Sequence, residues 1–132
     1  MDVQWNGKID DKGPAFRVTN NAKLEVLYGN VVVYFYDKDG KQLEVPATEP
    51  NAKPRPKQIC FGNIFGGPMK VGEKAVVTFS CVKKAHVPEG TTAIEAEMQT
   101  VGFTEAGGTK ADTYWRNEEL VPDARPKGGV KK

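Results

Sequence analysis

The chain has 132 residues, 39% of them hydrophobic and 27% charged, with a formal net charge of +2. That length fits one domain with one core, and that balance excludes an intrinsically disordered chain. Fourteen glycines and nine prolines punctuate it too often for long helices and suit short strands joined by turns.

The charge is unevenly spread. Lys53, Arg55 and Lys57 lie in one acid-free stretch and Arg125, Lys127, Lys131 and Lys132 in another. Without these seven, twelve basic residues face seventeen acidic ones, so the remainder carries −5. A nucleic-acid-binding face would cluster its cations with exposed aromatics on an ordered element. Here they read as a solvated loop and a solvated tail. There is no signal peptide and no apolar run long enough to span a bilayer. Met1 to Trp5 enters a strand at once, as either a cytoplasmic start or a chain trimmed of its export signal would.

Val3 to Ile9 alternates loosely, with Val3, Trp5 and Ile9 on one side, before the turn cluster Asp10 to Pro14. Ala15 to Asn20 alternates better, with Phe16 and Val18 inward and Arg17 and Thr19 outward. Asn20-Asn21 is a turn. Leu24 to Val45 is a β-hairpin. Its first arm ends in the chain's densest β-branched and aromatic run, Val31 to Tyr36, the turn is Asp37-Lys38-Asp39-Gly40, and Leu43 and Val45 resume the alternation. Gly29-Asn30 inside the first arm marks a bulge rather than a second turn.

Pro46 to Gln58 holds four prolines and is a surface loop, polyproline-like in Lys53-Pro54-Arg55-Pro56-Lys57. Ile59 to Phe65 re-enters the core, Gly66-Gly67-Pro68 ends it, and Met69 to Glu73 leads into Lys74–Lys83. That second strong strand has Ala75, Val77, Phe79 and Cys81 on one face and Val76, Thr78, Ser80 and Val82 on the other. After a turn at Val87 to Thr91, Thr92 to Phe103 is a third, with Ile94, Ala96 and Met98 inward against Glu95, Glu97 and Gln99 outward. Thr104 to Asp112 is a loop. Asp112 to Val121 is either a short helix capped by Asp112 and running through Leu120, or an edge strand at Tyr114 to Arg116. The whole predicts an all-β antiparallel sandwich of about seven strands with a short C-terminal appendage. Residues 1–123 form one domain and 124–132 a flexible basic tail.

The run Val33-Tyr34-Phe35-Tyr36-Asp37-Lys38-Asp39-Gly40, preceded by Phe16-Arg17-Val18-Thr19-Asn20-Asn21, resembles small bacterial immunoglobulin-like domains of the FxLYD type. It is also similar to the related type-2 late-embryogenesis-abundant sandwiches, in which an F-x-V-x-N strand precedes a hydrophobic strand ending in Y-D-x-D-G-K. Val87-Pro88-Glu89-Gly90-Thr91 and the strand after it are similar to their closing hairpin, so the resemblance spans residues 14–103. The Pro-rich stretch and the Tyr114-Trp115 segment depart from the pattern. The resemblance implies an immunoglobulin/fibronectin-III-like sandwich, exported or lipid-anchored and without enzymatic activity. On that basis the chain is expected to be an extracytoplasmic module for protein–protein interaction or structural support, its partner another protein or a cell-envelope component. The alternative is a carbohydrate- or small-ligand-binding sandwich using exposed Tyr and Trp.

If the domain is exported, Cys60 and Cys81 would form one disulfide, worth on the order of 3 kcal/mol. Otherwise they are two buried thiols acting as small hydrophobes. One His and two Cys do not complete a zinc site. Asp37-x-Asp39-Gly40 lacks the third acidic ligand and the closing Glu of a calcium loop, so a hairpin turn accounts for it. His86 sits in the Lys-rich turn Lys83 to His86 without a second titrating partner. No nucleophile elbow or phosphate loop occurs, and no metal or cofactor is implied. Trp5, Trp115, Tyr114, Tyr34 and Tyr36 form either an exposed aromatic platform or, for Tyr34 and Tyr36, a plug at the sandwich end. Tyr114, Trp115 and Arg116 are its leading members, because they fall outside the core pattern. Lys53, Arg55 and Lys57 would serve as a docking loop for an acidic partner or anionic surface, or as plain flexible loop.

Overall fold

The computed structural model describes residues 1–47, 50–62, 68–79, 81–104, 113–117 and 127. Among the described residues, eight strands make two antiparallel sheets: β1 (Asp2–Asp10), β2 (Gly13–Thr19), β3 (Glu25–Tyr36), β4 (Gln42–Leu43), β5 (Gln58–Gly62), β6 (Lys74–Val77), β7 (Ala93–Thr104) and β8 (Thr113–Arg116). The first sheet runs β1-β2-β6. The second runs β4-β3-β7-β8, with β5 also on β3. The first, second and sixth strands on one side, and the third, seventh and eighth on the other, reproduce the A-B-E and C-F-G sets of an immunoglobulin-like sandwich. The appended segment is therefore an edge strand, β8, and not a helix. Asp112 and 118–121 lie outside the described residues, as do 105–111 of the preceding loop.

β3 is the axis. Val31 to Tyr36 are all fully buried. Val31, Val33 and Phe35 face the inter-sheet core, while Val32, Tyr34 and Tyr36 form a second cluster with Ala93 on the outer face. Strand alternation demands that division. The turn after β3 closes as its residues require: Gly40 takes φ +78° and donates to the Asp37 carbonyl at 3.0 Å. The Asp37 carboxylate accepts the amides of Asp39 and Lys41. Those two bonds, Lys41's first, hold its pKa below the ordinary value. The return strand is shorter than expected: β4 is two residues, and Val45 instead pairs with Arg55 across the neck of the Pro-rich loop.

Bulges set the phase elsewhere. Between Asn30/Val31 and Thr100/Met98 the register shifts by one, so β7 buries Ile94 and Met98 before the shift and Val101 and Phe103 after it. In β1 two extra residues lie between the Trp5–Phe16 and Ile9–Pro14 pairs; Ile9 keeps the side of Val3 and Trp5, as expected, but at this far end of the strand it is 39% exposed. The second strong strand stops at Val77, and Val82 donates to the Phe79 carbonyl at 3.0 Å. That turn carries Val82 into the core instead of leaving it on the outer face.

Asn20 ties the sheets together. It is fully buried. Its amide donates to the carbonyls of Leu24, Met69 and Lys70, and its side-chain oxygen accepts the Ala22 amide. Asn20→Leu should lower stability by about 2–3 kcal/mol in urea unfolding, because the Leu24 and Lys70 carbonyls lose the Asn20 donor and the buried Met69 carbonyl is left with the Val26 amide alone. A loss under about 0.5 kcal/mol, the usual size of a surface substitution, would contradict this role.

Candidate functional site

The Pro-rich loop leads into β5, and strict alternation there divides its side chains. Gln58 and Cys60 point inward and are buried; Ile59 and Phe61 point outward and are 39% and 76% exposed. Phe61, expected to enter the core, instead stands on the surface. Asn63 to Gly67, the remainder of that segment, lies outside the described residues.

Phe61 pairs with Asn30 in a row that continues through Thr100 to Arg116. The neighbouring row on the same outer face is Tyr28, Gly102, Tyr114. Gly102 puts no side chain between the two tyrosines, so their rings meet over it. The ring centroids are 6.1 Å apart at 55°, and the two hydroxyls share a hydrogen bond of 2.5 Å. That bond first, then burial and the charge of the Tyr114 phenolate, raises the Tyr28 pKa above its ordinary value. Tyr114 remains 55% exposed. Phe61, Tyr28, Tyr114 and Arg116 thus crown one end of the second sheet's outer face.

The expected platform is divided by the same alternation. Trp115 shares its row with Gly29 and the buried Val101, so it lies on the opposite face of β8 from Tyr114 and Arg116, at 46% exposure. That row is tight, since a side chain at Gly29 would come within 2.7 Å of Met98 and of the Thr100 carbonyl. Trp5 pairs with Phe16 and packs on the core, its indole N–H donating to the Lys8 carbonyl at 3.1 Å. Tyr34 and Tyr36 are buried. Of the sequence candidates, Tyr114 and Arg116 come together. Tyr28 and Phe61 join them, and no composition signal marked either one.

Cys60 and Cys81 are bonded, with Cα atoms 5.7 Å apart, within the usual range. They staple β5 in the second sheet to the segment after β6 in the first. Lys53 and Arg55 are exposed and Lys57 half-buried. Arg55 exchanges main-chain hydrogen bonds with Val45 and donates to the Gln58 side chain, so the loop is pinned at its exit. His86 accepts the Lys83 amide on Nδ1. Burial, then Arg55 and Lys83, lower its pKa below 6.5.

No family model matches the sequence, and no curated protein matches it. A solved 1.85 Å X-ray structure of a hypothetical protein from Peptoclostridium difficile 630 is similar at a TM-score of 0.53 and 12% identity. The similarity covers 88% of this chain and 83% of that one, and at that identity it concerns the fold alone. No helix among the described residues is long and apolar enough to cross a membrane.

Two solution measurements check this geometry. Tyr114→Phe should bring the Tyr28 phenol back toward pH 10 in an absorbance titration, and an unchanged titration would remove the hydroxyl pair. The unfolded chain protonates His86 before the folded one does, so this residue's contribution is full above about pH 6.5 and declines below it. Wild-type stability relative to His86→Gln should therefore fall between about pH 7 and pH 5 in urea unfolding. A rise over that window would contradict the electrostatics.

Proposed function

We propose that the protein is a non-catalytic, extracytoplasmic immunoglobulin-like module that binds a partner protein through the outer face of its second sheet. The observation that carries this is Phe61, 76% exposed beside the Tyr28–Tyr114 pair, in a domain that buries the whole Val31–Tyr36 run. Grouped exposed aromatics with an adjacent Arg match the composition of protein-binding hot spots. The Cys60–Cys81 bridge supports an oxidising compartment, and the FxLYD and late-embryogenesis-abundant resemblance supports export and a non-enzymatic role. His86, its Nδ1 already bound to main chain, supplies no acid–base pair.

A second reading, carbohydrate binding, draws on the exposed rings of Tyr114 and Trp115. Their placement on opposite faces of β8 leaves no single plane for a sugar to stack on.

Protein and glycan arrays probed with wild type, Phe61→Ser and Trp115→Ala separate the two. The protein-binding reading expects protein spots that lose at least about tenfold in affinity with Phe61→Ser and survive Trp115→Ala, with both variants folded by circular dichroism. Glycan spots lost with Trp115→Ala, and no protein spot lost with Phe61→Ser, would overturn it.

A further inference from the structure

Two basic stretches far apart in the chain, Lys53 to Lys57 and Lys83 to His86, meet at the seam between the sheets. Gln58 joins them, accepting from the Arg55 guanidinium and donating to the Cys81 carbonyl at 2.7 Å. The disulfide at Cys81 fixes that junction. Lys83 and Lys84 are exposed. Beside them, Lys12, Lys83, Phe79, Thr78 and Asp11 line a cleft of about 300 Å³, and Asp11 is the acid that lining contains. Burial first, and then the nearby charges of Arg55 and Lys83, disfavour protonation of His86. One strand away in direction, Ile59 and Phe61 project from the outer face of β5, and among the described residues β5 pairs with β3 alone.

We propose that this edge docks an extended acidic segment of a partner protein, with carboxylates on Arg55, Lys83 and Lys84 and an apolar side chain against Ile59 and Phe61. The proposal rests on the protein-binding reading of Phe61 and adds the partner's chemistry. An extended segment can lie along an open strand edge and alternate its side chains between the two surfaces. A polyanionic glycan would meet the cations and leave Ile59 and Phe61 unmatched. A membrane surface would call for the apolar residue at a loop tip, whereas Phe61 rises from a strand face. Charge opposition across the rim chiefly speeds encounter and selects the partner, while Phe61 sets the residence time.

The test selects a random peptide library, displayed on phage, against the full chain. The expected peptides are rich in Asp and Glu with an interspersed aromatic or aliphatic residue. A synthetic copy should lose about tenfold in affinity for Lys83→Glu/Lys84→Glu and weaken with added salt. Circular dichroism and the urea midpoint confirm that the variant folds. Peptides without acidic bias, or indifferent to the charge reversal yet lost with Phe61→Ser, overturn the acidic docking and leave the protein-binding reading in place. Peptides indifferent to Phe61→Ser, or no selected peptide at all, overturn both. Binding to phosphatidylcholine–phosphatidylglycerol vesicles that vanishes on charge reversal, with no acidic peptide selected, overturns the proposal in favour of a lipid surface.

Discussion

A strand that is buried on both faces leaves the chain very little freedom, and β3 is such a strand. Its last six residues have no accessible surface. One edge pairs with β7 over nearly its whole length, and the other is shared by β5 and β4. A slip of one residue would send Tyr34 and Tyr36 into the slot shaped for Val33 and Phe35, exchanging hydroxyl-bearing rings for apolar side chains in the inter-sheet core. Since β3 joins every strand of the second sheet directly or through β7, fixing its register fixes that sheet. The Val26–Met69 bridge and Asn20 then hold the approach to β6, and so the first sheet, against it.

The site is a consequence of that register and of the break at Asn30/Val31, one of two in the β3–β7 pairing. β7 follows β3 until the extra residue at Gln99, and beyond it Val101 and Phe103 take over the inward positions. Gly102 is thereby left on the outside, opposite Tyr28 on β3 and Tyr114 on β8. In unbroken alternation with Ile94, Ala96 and Met98, position 102 would have faced the core. The tyrosine pair needs the bulge, and the bulge needs Gly29 to admit Met98 and the Thr100 carbonyl. Packing one layer down determines what the surface presents.

The strongest strands were legible from pattern: β2 and β7 stand close to where period-two spacing puts them, β3 where its continuous β-branched and aromatic run does, and the Asp37–Gly40 turn closes through its own side chains. What escaped was phase. A segment such as Ile59 to Phe65 shows apolar content but not which side chain faces in, because a two- or three-residue apolar run is compatible with either parity. The disulfide partner decides it here: once Cys60 turns toward Cys81, Phe61 must turn out. Likewise Tyr114, Trp115 and Arg116 were legible as lying outside the core pattern, yet grouping them required treating adjacent residues as neighbours, which a strand forbids. Tyr28 sits inside the strongest strand signal, where nothing in the local spacing distinguishes a surface tyrosine from a core one.

The Pro-rich stretch shows how the same staple acts at longer range. Four prolines remove donors and disfavour strand pairing, so the stretch by itself supports a loose loop with scattered cations, and a loose loop pays ordering entropy on binding. The Val45–Arg55 pair closes its neck, Gln58 carries its exit to Cys81, and the covalent bridge holds Cys81 beside β5. Arg55 is thus placed relative to Lys83 and His86 before any partner arrives. A cation so positioned forfeits less freedom on contact than one on an untethered loop. The cysteines therefore do more than raise stability: they convert a compositional bias into an ordered cationic edge next to an exposed aromatic face.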